Sequence, residues 1–323
     1  MLDYLLLWNT GCSFYCIGNL LRRTVSRILQ SIPVLLAVFT LTFFMVRAAP
    51  GGPFGTEKRL SEQQLERLNA HYGLDKSLGE QYLTTLSNIV LKADLGPSFR
   101  YEGQSVNGMI AGALPVSLEL GLWAMLIAIC TGIPLGVLAA VKRNTWLDIV
   151  PMGWSMIGIC LPNFVIGPLL VMVFSIWLGW FNPTGWYSAA DRVLPSLTLG
   201  LSYAAIVARL TRAGVVEVLA MDYIRAARAK GIDGIRLIFT HALRGGLLPV
   251  VAYLGPAFAG VLTGSFVVET IFNVPGLGQL FVRGALGLDF TMVQGTVLLY
   301  AAMVVLMNLI ADLLQSWLNP QAA

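Results

Sequence analysis

Five of the chain's 21 lysines and arginines, Arg225, Arg228, Lys230, Arg236 and Arg244, fall within DYIRAARAKGIDGIRLIFTHALR, residues 222–244. Only 12% of the 323 residues are charged and 56% are hydrophobic, so the concentration is a local feature. The adjacent Ala226 and Ala227 let a second protein come close to a helix in this stretch. Asp222 is placed to accept a backbone N–H at a helix start, YIRAARAK is made of good helix formers, and Gly231 stands where a left-handed cap ends the helix. Asp233 then begins a second helix with Ile235, Leu237, Ile238, Ala242 and Leu243 as its apolar face. Anchoring a loop by its charge explains the basic residues but not this helix, glycine, helix order, which points to a docking element.

Catalytic chemistry has little to work with. The two histidines, His71 and His241, form no metal-binding pair. The TGSF of residues 263–266 has a serine without a base nearby, and no GxxxxGK[ST] phosphate loop is present, so this chain is expected to bind no cofactor itself. Cys12 and Cys16 could share a helix face but have no further Cys or His beside them, and with Cys130 and Cys160 they indicate neither a disulfide framework nor a metal site. Three ionisable residues fall in apolar stretches, where a charge near the bilayer centre costs about 2.5–3.5 kcal/mol on insertion scales. Glu119 and Asp312 read as packing or helix-end residues. Glu269, before TIFNVPGLG, reads equally as a pathway or gating group and as a structural hydrogen-bonding one.

The elements that hold these residues are membrane helices. Mean hydropathy is +0.73, and several apolar runs reach the roughly 20 residues needed to cross a bilayer core. The first span is residues 28–47, after a cytoplasmic or interfacial segment 1–27 whose first 20 residues lack the charge order of a signal peptide. Residues 48–113 read as an external helical subdomain, with Ser61 and Asp75 as helix starters. A transmembrane core follows over residues 114–320, with spans at about 115–140, 160–180, 194–209, 247–270 and 291–314. The stretch 147–180 is too long for one straight crossing, and Pro162 and Pro168 are its break points. Trp177, Trp180 and Trp186 form an outer aromatic belt. Arg22, Arg23, Arg27, Lys142, Arg143, Arg209 and Arg212 join the five basic residues of 222–244 on one side, whereas outside the long loop the other side keeps Arg47, Arg192 and Arg283. The positive-inside rule then gives six spans, both termini in the cytoplasm and a cytoplasmic segment at 210–246. GxxxG spacings at Gly108/Gly112, Gly132/Gly136 and Gly260/Gly264 suit close helix packing. The basic residues have no aromatic platform between them, which argues against nucleic acid.

The 222–244 stretch resembles the "EAA" loop of bacterial ABC-importer permeases through Arg225, Ala226, Ala227, Gly231, Ile232, Ile238 and Leu243. It departs from the general pattern at Arg225, where Glu is usual, and at Arg244, where Pro is frequent. DYIRAARAKG is similar to the loop of the peptide and nickel branch. FFMVRAAPGGPF, ADLGPSF, GIPLGVLAAVKRNTWLD, HALRGGLLPVVAYLGPAF and GSFVVETIFNVPGLGQLF resemble stretches of the B-type oligopeptide permeases and extend the resemblance from about Leu21 to Pro320. The resemblance implies a type I ABC-importer permease fold in the bacterial inner membrane. It also implies a homologous second permease subunit, two cytoplasmic ATPase subunits that bind ATP and Mg, and an external substrate-binding protein. Residues 222–231 would then be the coupling helix, with Asp222, Tyr223, Arg225, Ala226, Ala227, Arg228, Lys230 and Gly231 at the ATPase. Peptides are the expected cargo, with nickel chelates or other small molecules as the alternative. A self-sufficient secondary transporter or channel lacks support, since neither a midplane relay nor an inverted repeat is evident.

Overall fold

The computed structural model describes residues 12–49, 54 and 62–318. Among these residues the chain is helical, and its only strand-like feature is an isolated bridge between Pro97 and Ser105. The helices are α1 (Cys12–Ala48), α2 (Glu62–Tyr72), α3 (Leu78–Lys92), α4 (Val106–Val141), α5 (Trp146–Cys160), α6 (Asn163–Leu170, continued by a π turn, Val171–Trp177), α7 (Val193–Leu219), α8 (Asp222–Ala229), α9 (Gly234–Gly246), α10 (Leu248–Ile271), α11 (Leu277–Leu286) and α12 (Phe290–Leu318).

Among the described residues, four helical stretches are long and apolar enough to cross a membrane: Val25–Ala48, Val106–Val141, Ala189–Leu219 and Phe290–Leu313. Two bent pairs raise the count to six if each is one crossing: α5 with Asn163–Trp177, bent by 107°, and α9 with Leu248–Leu262, bent by 52°. The first bend falls at Leu161–Pro162, as the sequence predicts. Leu161 is extended (φ −83°, ψ 121°) because the ring of a following proline crowds the helical conformation. Pro168, the other predicted break, lies inside α6 without ending it.

The core is built on α4 and α7. Leu120, Ala124, Ala128, Leu199 and Ala204 are buried between them and α10. The two backbones run close enough that a Cβ on Gly132 would lie 2.7 Å from the Ala204 carbonyl oxygen, and one on Gly136 would lie 2.5 Å from that of Ala208. Gly132/Gly136 is therefore a packing seam. At Gly112 a Cβ would meet nothing within 4 Å, so Gly108/Gly112 is not a seam within this chain.

Helix α1 begins at Cys12, upstream of the span expected at residue 28; residues 1–11 and the starter Ser61 lie outside the described residues. Helix α3 starts at Ser77 rather than Asp75. The Ser77 hydroxyl accepts from Glu80 N–H while the Glu80 carboxylate accepts from Ser77 N–H, and this reciprocal cap outcompetes a lone Asp two residues earlier. The helix lies against α1: Tyr82 packs on Phe39, Phe43 and Phe44, its hydroxyl is 2.9 Å from Thr40 Oγ1, and Arg47 donates to Gln81 at 3.0 Å. Beyond α3, the buried Asp289 carboxylate accepts the Ser98 hydroxyl proton and Thr291 donates to the Pro97 carbonyl, so LGPSF is pinned to the start of α12.

Trp177 and Trp180 are exposed, as a lipid-facing belt requires, but Trp186 packs on the core with Arg192 over its ring. Arg192 also pairs with Glu119 at 2.5 Å and joins α4 to the start of α7, which gives Glu119 a packing role. Asp312 pairs with Arg27 at 3.1 Å and ties α12 to α1.

Candidate functional site

Helix α8 is short and stands apart from the spans, so its position depends on its caps and on one apolar cluster. Its N-cap is Met221, not Asp222. Asp222 is already helical, where its charge favours the positive end of the helix dipole, and it pairs with Arg225 one turn on at 3.3 Å. The C-terminal end is as the sequence predicts. Gly231 has φ +81°, its N–H donates to the Arg228 carbonyl at 2.9 Å, and Ile232 N–H donates to the Ala227 carbonyl at 3.1 Å. These two bonds are the Schellman pattern, which needs a residue without a Cβ penalty at that position.

The inward face carries Ile224, fully buried, and Ala227. They pack with Val218 at the end of α7 and with Leu237 and Ala242 of α9, while Ile232 folds over the cluster. The hydroxyl of Tyr223 donates to the His241 carbonyl at 3.4 Å, a second tie to α9. Asp222, Arg225, Ala226, Arg228, Ala229 and Lys230 are exposed, and Tyr223, also exposed, lies at the edge where its hydroxyl reaches α9. The two alanines thus split, Ala227 holding the helix to its support and Ala226 belonging to the open surface.

Asp233 is the N-cap of α9, but its side chain makes no cap hydrogen bond, and residues Ile238–Ala242 wind as a π turn. The predicted apolar face is only partly inward. Leu237 and Ala242 are buried and Ile238 and Leu243 half-buried, but Ile235 is exposed, as is Phe239. Sequence reasoning missed Phe239 as a surface residue. Its spacing of four from Ile235 was the available signal, because residues four apart share one side of a helix. The end of α9 is fixed to α7 at Gly246, whose carbonyl stands where a Cβ on Gly214 would be.

Another buried carboxylate was not singled out by the sequence. Asp148, 4% exposed, receives two bonds from Arg212 of α7 (2.5 and 2.8 Å) and one from Asn144 N–H (3.0 Å). The pair borders an open cleft of about 700 Å³, lined also by Asn144, Ile149, Met152, Gly153, Met156 and Arg209.

Glu269 lies at the other end of the chain's core, fully buried. One carboxylate oxygen accepts from the hydroxyls of Ser117 and Ser265, each at 2.8 Å; the other accepts from the N–H groups of Gly278 (2.7 Å) and Gln279 (3.2 Å). Ser117 in turn accepts the Leu277 N–H at 2.8 Å. The first amides of a helix have no intrahelical partner, and here a carboxylate from α10 and a hydroxyl from α4 serve those of α11. Gly276 and Gly278 leave the room, since a Cβ on either would overlap Glu269 or Phe266. Of the two roles the sequence allowed for Glu269, the geometry displays the structural one. Among the described residues no group of three or more His, Cys, Asp or Glu side chains could hold a metal ion.

Residues 132–323 match the family described as "Binding-protein-dependent transport system inner membrane component", and residues 20–121 match its N-terminal counterpart, "Binding-prot-dependent transport system membrane comp, N-term". The chain is 44% identical over 304 residues to the oligopeptide transport system permease protein OppB of Salmonella typhimurium, covering 94% of this chain and 99% of that protein. It is 42% identical over 304 residues, with the same coverage, to OppB of Haemophilus influenzae. With the dipeptide transport system permease protein DppB of Bacillus subtilis it shares 40% over 300 residues, 93% of this chain and 97% of that one. Among solved structures, an inward-facing conformation of the MetNI methionine ABC transporter aligns with a TM-score of 0.57 at 17% identity, covering 65% of this chain and 96% of that one. An amino acid ABC transporter aligns with a TM-score of 0.53 at 17% identity, covering 65% and 94%. These two establish a shared fold.

Proposed function

Because the chain belongs to the family of binding-protein-dependent transport system inner membrane components, we propose that it is the membrane-spanning permease subunit of a peptide importer in the bacterial inner membrane. Each bent helix pair counts as one crossing in this reading, which makes six spans with both termini in the cytoplasm. A homologous second permease subunit completes the pathway. An external binding protein delivers the peptide, and two cytoplasmic ATPase subunits, which bind ATP and Mg, hydrolyse the nucleotide.

The observation that carries the reading is the division of α8 into two faces. Ile224 and Ala227 lock it to α7 and α9, and the exposed face offers Arg225, Ala226, Arg228 and Lys230 to another molecule, with Tyr223 at its edge. A helix fixed on one side and free on the other transmits a push from an ATPase without yielding. The push enters α7 at Val218 and reaches α4 through the Gly132/Gly136 seam. Closure of the ATPases on ATP then favours one of two arrangements of the spans.

The test is a gentle-detergent pull-down of the tagged chain expressed with its chromosomal neighbours, followed by an ATPase assay with peptide-loaded binding protein. A complex with a sister permease and two ATPases, whose hydrolysis rises with the peptide-loaded protein, is the expected result. A homo-oligomer without ATPases would return the secondary-transporter reading. A complex stimulated by a nickel chelate and not by peptide would keep the permease and change its cargo.

A further inference from the structure

Helix α5 presents three sides. Asp148 and Ser155, seven residues apart, are buried on the side that packs on α7, where a Cβ on Gly158 would lie 3.3 Å from that of Ala205. Trp146, Val150, Trp154 and Ile157 are exposed apolar residues on the far side, which in a membrane helix faces acyl chains. Between the two runs a flank of Ile149, Met152 and Met156, and it forms one wall of the cleft beside Asp148 and Arg212. Gly153 widens the opening, since a Cβ there would meet nothing within 4 Å.

The other wall carries the charge. Arg209 and Arg212, three residues apart on α7, both line the cleft, but they are not equivalent. Arg212 directs its donors at Asp148, the one acid among the described residues that line the cleft, so its charge is neutralised in place. Arg209 is half-buried and makes no ion pair or side-chain hydrogen bond among the described residues. It belongs to the membrane-crossing stretch Ala189–Leu219 and lies further from the end of that stretch than Arg212, by about 4.5 Å at ~1.5 Å per residue. A guanidinium keeps its charge at any physiological pH, and a charge held beside apolar side chains is costly unless it is paired. Arg209 therefore calls for an anion that this chain does not supply.

We propose that this cleft holds the headgroup of an anionic phospholipid, with its phosphate paired to Arg209 and its chains lying along Ile149, Met152 and Met156. The planar fork of an arginine matches the geometry of a phosphate, and basic pockets between membrane helices bind such headgroups. A free anion would use Arg209 but not the apolar wall. A lipid uses both, and that wall is continuous with the lipid-facing side of α5. Lys142 and Arg143, exposed just before the cleft residue Asn144, add positive charge nearby and favour phosphatidylglycerol over phosphatidylethanolamine, whose ammonium they repel. The site depends on the membrane topology proposed above and not on the cargo. A lipid bound there bridges α5 to α7, the helix that leads into α8.

The experiment uses the full chain, both alone and in the complex purified with its neighbours, stripped of lipid and titrated in detergent with phosphatidylglycerol or phosphatidylethanolamine. Bound lipid is counted by native mass spectrometry. Arg209→Gln removes the charge and Arg209→Lys keeps it. Gly153→Leu fills the cleft without altering either arginine, and Arg236→Gln removes an exposed charge outside the cleft. One phosphatidylglycerol per chain, preferred over phosphatidylethanolamine, is the expected result. Its affinity should fall about tenfold, the equivalent of one charge-assisted bond, in Arg209→Gln and in Gly153→Leu, and stay near wild type in Arg209→Lys and Arg236→Gln. Equal losses in Arg209→Gln and Arg236→Gln would mean attraction by surface charge at large and overturn the proposal. Displacement of the lipid by inorganic phosphate would make the cleft a free-anion site, and retention by the chain alone but not by the complex would mean that a partner subunit covers it; either result also overturns the lipid assignment. Because the chain alone is measured too, failure to find ATPase partners would count against the permease reading and leave the lipid result to be judged on its own.

Discussion

Replacing Glu269 separates an anchor from a gate. Its carboxylate accepts four hydrogen bonds in a fully buried site, two from backbone amides at the start of α11 and two from serine hydroxyls. Glu269→Gln keeps the shape. The amide oxygen can still face Gly278 and Gln279 N–H while its NH2 donates to the serines, so the four bonds survive as neutral ones and the charge behind all four is lost. Bonds to a charged acceptor are worth about 1.5–3 kcal/mol and neutral ones about 0.5–1.5, a difference of about 1 kcal/mol per bond and about 4 kcal/mol in all. Glu269→Ala removes the acceptor. The Ser265 hydroxyl can turn its one proton to the Leu262 carbonyl, 2.9 Å away, but the Ser117 hydroxyl and two N–H groups are stranded, at about 1–3 kcal/mol each, a total of about 6 kcal/mol at mid-range. The assay is thermal unfolding of both variants in lipid nanodiscs, with limited proteolysis of residues 272–290 and peptide transport measured alongside. The order wild type, Gln, Ala in stability, with cleavage and transport loss in the same order, is expected. Wild-type stability in both variants with transport abolished in both would refute the anchor and make the charge itself the functional element.

Gly231→Val forces a β-branched residue into φ +81°, a conformation that costs roughly 1–3 kcal/mol. The α8 cap should open, so that peptide-stimulated ATP hydrolysis falls while membrane insertion is unchanged; normal stimulation would remove α8 as the coupling element. Gly136→Leu pushes a side chain into the Ala208 carbonyl and Thr211 and should destabilise the subunit by about 1–3 kcal/mol through overpacking. Gly112→Ala, with open space at that position, should unfold at the wild-type temperature, and equal effects of the two would mean that the α4–α7 seam is misplaced. Asp148→Ala leaves the Arg212 guanidinium, 29% exposed, without its carboxylate and should cost about 3–5 kcal/mol. The double variant Asp148→Ala, Arg212→Met should recover most of that loss, and additive losses in the cycle would show that the two residues act separately.

The amino-acid sequence by itself determined the elements whose signals are local. Apolar runs of bilayer length, the break before Pro162 and the glycine closing α8 were legible because hydropathy and backbone geometry act within a few residues. Asp222 and Asp75 were misread as caps for the same reason turned around. Several polar residues compete for a helix start, and the winner is set by which backbone angles the chain takes there, as the reciprocal pair at Ser77 and Glu80 demonstrates. Only the tertiary structure decided which GxxxG was a seam, because that depends on a facing backbone far away in the chain. It alone revealed that Glu269 serves amides of another helix, since a buried carboxylate is defined by partners such as Ser117, 152 residues off. It also brought together Asp148 with Arg212, 64 residues apart, and α3 with α1. A charge in an apolar run announces that a partner must exist, because burying it alone is too costly; which partner it finds is settled only when the helices pack.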